Sequence, residues 1–219
     1  MLDKNRAIIQ QVADVVRKKF EGEGTGHDWW HIYRVWRMSS RLSAQYKDVD
    51  RFVVELAALV HDMADHKLME NPSDGENEIK RLLFHHQVSE DGVNRVLQIV
   101  RHVSFKGAKV KDKMESLEGQ IVQDADRLDA IGAIGIARTF AYGGSKAREL
   151  YNPAIPVEEH DNFAAYKNSE APTINHFYEK LLLLKDRLNT EAAVKIAEER
   201  HRFMEEFLER FYDEWEGKR

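Results

Sequence analysis

The 219-residue chain has no cysteine. That excludes disulfides, thiolate metal sites and cysteine nucleophiles, and it fits a reducing compartment. Proline is scarce, at 4 residues, and glycine at 12 leaves little material for turns, so long helices are expected. Basic residues are not in excess. The net charge is −5, which argues against a surface that coats nucleic acid, because neutralising a phosphate backbone needs a basic face. A small phosphorylated substrate needs only a few local cations. Long apolar runs are missing too. The longest run of small apolar residues, Ala130 to Ala137, is far too short to span a bilayer. The charged start, Met1-Leu2-Asp3-Lys4-Asn5-Arg6, has no apolar stretch behind it and does not read as a secretory signal. Hydrophobic residues at 42% and charged residues at 32% describe a globular protein, expected in the cytoplasm and without membrane partners.

What is present is helical period. Ile8, Ile9, Val12, Val15, Val16 and Phe20 recur three and four apart until Gly22, Gly24 and Gly26 stop the pattern. A second helix is expected from His27 or Asp28 through Ile32, Val35, Met38 and Leu42. The third, from Asp50 to Val60, is apolar on most sides and belongs at the centre of a bundle. Asn71 to Gly75 reads as a loop launching a helix through Ile79 and Leu83, and Ser89 as an N-cap for the next. Lys106 to Glu118 reads as a polar loop. Ile121 to Tyr142 reads as one helix, in which Gly132 and Gly135 suit close approach of another helix, with Gly143-Gly144 ending it. Tyr151 to Pro172 holds three of the four prolines and reads as a lid or rim, and Thr190 to Trp215 as a long amphipathic helix. The stripe of Phe203, Phe207, Phe211 and Trp215 fits packing within the chain, with a homodimer seam as the alternative. No alternating strand pattern and no internal repeat is found. The expectation is an all-α single domain over 1–219.

Three segments carry chemistry. His27 and His31 are four apart on a helix that also carries Arg34, so they share a face. A surface histidine pair would look the same. At the end of the apolar helix, His61-Asp62 is costly to bury unless paired, and a divalent cation removes that cost because imidazole and carboxylate form a natural mixed ligand set. An Asp–His hydrogen bond closing the helix is the plain alternative. Asp65 follows one turn later. Asp124, Asp126 and Asp129 lead into an apolar segment and need a cation or an arginine nearby, or serve the helix dipole. Asp126 and Asp129 are one turn apart and could face the same point.

The order His…His-Asp…Asp, with the strings Gly26-His27-Asp28-Trp29-Trp30-His31 and Asp124 to Gly135, resembles the HD-domain metal-dependent phosphohydrolases, and within them a small bacterial subgroup acting on nucleoside triphosphates. In the resemblance, His31 matches the first ligand, His61-Asp62 the signature pair, and Asp126 in Ala125-Asp126-Arg127-Leu128 the last carboxylate, with Asp129 as fallback. It implies a helical bundle of the HD type, with a metal-site core at about 27–140 and C-terminal helices at 172–217 packed on it. It also implies one divalent cation: manganese first, with magnesium, cobalt, nickel or iron as alternatives. The implied reaction is hydrolysis of a nucleotide, from triphosphate to monophosphate and pyrophosphate, or of a phosphate ester.

Beside the ligands, Asp65 is expected to act as general base or to position water, Lys67 to clamp phosphate, and His27 to donate to a phosphate oxygen or protonate the leaving group. Arg34, His102 and Lys106 are candidates for binding substrate phosphates. Tyr142, Tyr151 and Tyr166 are candidates for stacking a base, with no spacing to support them. His85-His86 are read as surface residues. The competing functions are a non-hydrolytic nucleotide sensor, a metal-dependent hydratase or lyase, and a diiron oxygenase drawing further ligands from His85, His86 or His102.

Overall fold

A computed structural model describes residues 2–22, 28–64, 72–103, 114–158 and 171–218. All regular structure among them is helical, as expected. The α-helices are α1 (Leu2–Phe20), α2 (Trp29–Ser43), α3 (Arg51–Val60), α4 (Pro72–His85), α5 (Glu90–Val103), α6 (Leu117–Asp129), α7 (Gly132–Ser145), α8 (Asn175–Glu179) and α9 (Glu191–Trp215). Two 3₁₀ segments, His61–Ala64 and Leu181–Arg187, follow α3 and α8. The described residues up to Asp126 form one compact unit and those from Arg127 onward a second, with the division inside α6.

In the first unit α3 is the central element. Val53, Val54, Leu56, Ala57, Ala58, Leu59 and Val60 are all buried, which is why its sequence is apolar on most sides. Helices α1, α2 and α5 pack around it. Each fully buried Leu or Val contributes on the order of 1.5–3 kcal/mol. Its start is fixed by Asp50, whose carboxylate accepts from the backbone N–H groups of Phe52 (3.1 Å) and Val53 (3.3 Å). Arg95 of α5 forks between Asp50 and Glu118, donating to each at 2.8 Å, and so ties the first turn of α6 to α3 and α5. Ser89 caps α5 as expected, its hydroxyl accepting from Gly92 N–H at 3.2 Å.

Four expectations are corrected here. Residues 72–75 are the first turn of α4 rather than a loop, because proline is well suited to the first helical position, where its missing N–H has no partner to lose. The segment 121–142 is two helices rather than one. It breaks between Asp129 and Gly132, where Gly132 takes φ +75°, a conformation that a side chain disfavours. Within the polar stretch expected at 106–118, α6 already begins at Leu117, and residues 106–113 lie outside the described set. The expected stop at Gly143-Gly144 falls inside the last turn of α7.

In the second unit α9 packs along α7 and against the second 3₁₀ segment. Phe207 stacks on Phe177 (centroids 5.8 Å apart) and meets Phe140 edge-on at 5.9 Å, while Trp215 meets Tyr151 at 5.1 Å. The stripe is therefore intrachain packing at these positions. Phe203, at the other end, remains exposed.

Candidate metal centre

Helix α2 begins where it does because Asp28 caps it, and the cap bond goes to the residue that matters. The Asp28 carboxylate accepts from the backbone N–H of His31 at 2.8 Å, which sets His31 in the first turn with its side chain turned inward. Trp36, further along α2, donates its indole N–H to Glu55 Oε2 at 2.7 Å and locks α2 to α3.

Helix α3 then delivers the second histidine. At His61 the backbone tightens from α to 3₁₀, so His61 and Asp62 stand in the final apolar layer. The His61 Nδ1–H donates to the Ala58 carbonyl at 2.8 Å. A carbonyl only accepts, so the proton is on Nδ1 and the neutral ring presents a lone pair at Nε2. That Nε2 lies 3.2 Å from His31 Nε2.

Two carboxylates close on the same point. Asp62 places Oδ2 at 3.4 Å from His31 Nε2 and Oδ1 at 3.4 Å from His61 Nε2. Asp126 Oδ1 stands 3.5 Å from His31 Nε2 and 4.0 Å from His61 Nε2. His31, His61 and Asp62 are 1%, 3% and 4% exposed, whereas the Asp126 side chain retains 27%. Among the described residues, His31, His61 and Asp62 form the one cluster of His, Asp or Glu donors with metal-ligand spacing.

The donor set fits a cation. Two imidazole nitrogens and two carboxylates crowd a desolvated point, where acceptors repel unless positive charge lies between them. An N₂O₂ set is borderline in hardness and suits divalent manganese, iron, cobalt, nickel or zinc better than calcium.

The helix that carries Asp126 is tied to its neighbour by a residue that the sequence did not single out. Gln123, one turn earlier on α6 and fully buried, donates its side-chain amide to the His102 carbonyl at 3.0 Å, tying α6 to the end of α5. A buried amide with one helical turn to a ligand candidate is a legible signal only once the neighbouring helix is known. Asp129, the fallback, accepts from Arg138 at 2.6 Å. That pairing meets the need for a cation or arginine that the acidic segment raised.

Of the other expected site residues, Arg34 lies one turn after His31 on α2 and is partly buried. His102 is exposed, with Nδ1 donating to the Gln98 carbonyl at 2.8 Å. His27, Asp65, Lys67 and Lys106 lie outside the described residues. His85 and His86 stack edge-on at 5.0 Å at the end of α4, and burial together with the neighbouring His85 lowers the His86 pKa.

With this geometry in place, likeness to known proteins decides the family. Residues 29–131 match the HD domain family. The chain is 40% identical over 200 residues to YpgQ of Bacillus subtilis, covering 91% of this chain and 89% of that protein. This chain belongs to the HD-domain family. An HD-superfamily hydrolase from Bacillus thuringiensis superposes with a TM-score of 0.77 at 43% identity, over 97% of this chain and 98% of its own. The crystal structure of YpgQ in complex with ADP superposes at 0.73 with 36% identity, over 92% and 97% of the two chains. The HD-domain protein is a metal-dependent phosphohydrolase with an all-α fold. No helix among its described residues is long and apolar enough to cross a membrane.

Proposed function

We propose that this HD-domain protein hydrolyses a nucleoside triphosphate to the monophosphate and pyrophosphate, using one divalent cation, manganese first, held by His31, His61, Asp62 and Asp126. The observation that carries the reading is the convergence of two Nε2 atoms 3.2 Å apart with two carboxylates within 4.0 Å of them. The ADP complex of YpgQ supports the choice of a nucleotide. When bound, the cation supplies Lewis-acid polarisation of a phosphate oxygen and acidification of water at neutral pH.

The chain's own groups then have distinct tasks. Ala58 holds the His61 ring in one tautomer and one orientation. Asp126, the most exposed of the four candidate ligands, marks the side from which substrate phosphate arrives. Arg34 projects from the same helix as His31 and is assigned to a phosphate oxygen. His102 offers substrate its Nε2, since Nδ1 is engaged by Gln98, and that nitrogen donates to phosphate when the ring is protonated. By its place in sequence one turn past the ligand pair, Asp65 is assigned the proton-accepting role beside the attacking water, with Lys67, Lys106 and His27 contacting phosphate or the leaving group.

The test is product identification from a panel of ribo- and deoxyribonucleoside triphosphates with manganese, magnesium, cobalt or no added metal. Pyrophosphate and monophosphate in equal amounts, only with metal, is the expected result. Orthophosphate alone, or turnover in a chelator, would refute it.

A further inference from the structure

Trp30 is the residue before His31, and its exposure is unusual. At 57% it is unsurpassed among the large apolar side chains of the described residues. Tyr33, one turn on, is 37% exposed and meets Trp30 edge-to-face with centroids 5.9 Å apart. The pair is braced. Tyr33 also contacts Trp29 at 6.1 Å and Trp36 at 6.2 Å, and Trp36 is pinned to Glu55 of α3. Rigid aromatic rings held open to water lose little entropy when a flat ligand stacks on them.

Their place on α2 connects them to the metal centre. Successive residues turn by about 100° around a helix. Going round α2 from His31 in one direction, Arg34 comes at about 60°, Trp30 at about 100°, Arg37 at about 120° and Tyr33 at about 160°. The buried face of the helix, with Ile32, Val35 and Leu42, lies the other way. One continuous surface thus runs from the candidate ligand through a cation to an aromatic pair flanked by a second, exposed cation. In a nucleoside triphosphate cut at its α-phosphate, the reacting phosphate is the one nearest the base, separated from it only by the sugar, so an aromatic face on the same helix surface as the candidate ligand suits the base, with a guanidinium at hand for phosphate charge.

We propose that Trp30, supported by Tyr33, stacks the nucleobase of the substrate and is the main base-binding element of this site. The proposal rests on the nucleotide reading above and assigns it a specificity surface. Stacking on an aromatic face is tolerant of base identity, so the site discriminates nucleotides from base-free polyphosphates more than one base from another. Of the tyrosines suggested by sequence, Tyr166 lies outside the described residues, and the other two are less suited. Tyr151 is enclosed by Phe211, Tyr212 and Trp215, and Tyr142 is flanked by Lys146 and Arg148.

The test compares wild-type protein with Trp30→Ala, Trp30→Phe and Tyr33→Ala in steady-state kinetics with manganese, using ATP, GTP, dTTP and inorganic tripolyphosphate. Trp30→Ala is expected to raise the ratio of KM for each nucleotide to KM for tripolyphosphate by about tenfold or more, an effect that falls on KM. Trp30→Phe is expected to restore most of it. Quenching of indole fluorescence by nucleotide should be largely lost in the phenylalanine variant. Wild-type turnover of nucleotides with an unchanged ratio in Trp30→Ala overturns the stacking assignment alone. Failure of the wild-type protein to hydrolyse any nucleotide overturns the substrate reading and the stacking with it.

Discussion

His61 donates its Nδ1–H to the carbonyl of Ala58, three residues earlier on the same helix, at 2.8 Å. The helix that carries the imidazole thus also fixes its proton, and the other ring nitrogen is left to face His31. Asp62, next in sequence, faces the same point, so two of the four donors are delivered by one helix end.

Asp62→Ala is therefore expected to lose the bound cation and to cut pyrophosphate release by at least about a thousandfold, since activation of water by a metal is worth several kcal/mol. The helical circular dichroism should survive, because the core of α3 is untouched. Elemental analysis beside a pyrophosphate-release assay checks both parts, and turnover at the wild-type rate would refute the assignment.

Asp126 and Asp129 separate by what each meets. Asp126→Asn is expected to weaken metal binding, read as a rise in the manganese concentration needed for half-maximal activity. Asp129→Asn breaks the 2.6 Å bond to Arg138 in a site where the aspartate is 5% exposed. It should cost about 2–3 kcal/mol of unfolding free energy, with Arg138 partly solvated and the loss reduced accordingly. A urea titration and a manganese titration on both variants distinguish the two. Equal metal dependence in both would contradict the division.

Gly75→Ala probes a contact behind the centre. A Cβ at residue 75 would lie 2.6 Å from both the Ala64 Cα and the Met63 carbonyl oxygen, which are backbone and cannot swing aside. Helix α4 must then move off the 3₁₀ turn that holds His61 and Asp62. The expected cost is about 1–3 kcal/mol, with a weakened manganese affinity. Ala at residue 22, where a Cβ meets nothing within 4 Å but φ is +86°, serves as a backbone-strain control that should leave the metal affinity alone.

Acid should loosen the second unit through His176. Burial first, then Lys180 and Arg148, push its pKa down to about 3 from the ordinary 6.5. Below pH 6.5 the unfolded chain binds a proton that the native ring refuses, so stability falls as pH drops towards 3 and is unaffected by this group above 6.5. The slope is about 1 kcal/mol per pH unit for one such group. His176→Gln is expected to flatten the wild-type dependence between pH 6 and 4 by that amount, measured by denaturant unfolding. Parallel curves for the two proteins would exclude the ring as the cause.

The helical plan was legible because local signals agreed with tertiary demands. Asp50 and Ser89 are caps by type and by geometry, and the apolar run of α3 is apolar because it is central. The centre was legible for a related reason: His61-Asp62 sits where an unpaired polar group is most costly. What escaped notice depends on neighbours. Gly75 is glycine because Ala64 is beside it, and nothing in residues 71–75 says so. Gly132 and Gly135 were read as a seam for another helix. Gly132 does meet Arg200 of α9, but a Cβ on Gly135 would strike the Ala130 carbonyl, in the break that the sequence concealed. Gln123 drew no attention because a buried amide has meaning only with its acceptor, 21 residues away in sequence.

The four donors come from three stretches of chain that meet only after folding: the start of α2, the end of α3 and the third turn of α6. A cation shared among them would be a crosslink closed over some 95 positions of sequence, from His31 to Asp126. The unfolded chain cannot reproduce that closure, so metal at about a hundred times its dissociation constant would add roughly 2.7 kcal/mol to stability. The thermal midpoint of this enzyme would then track the free metal concentration, and a chelator would act as a denaturant.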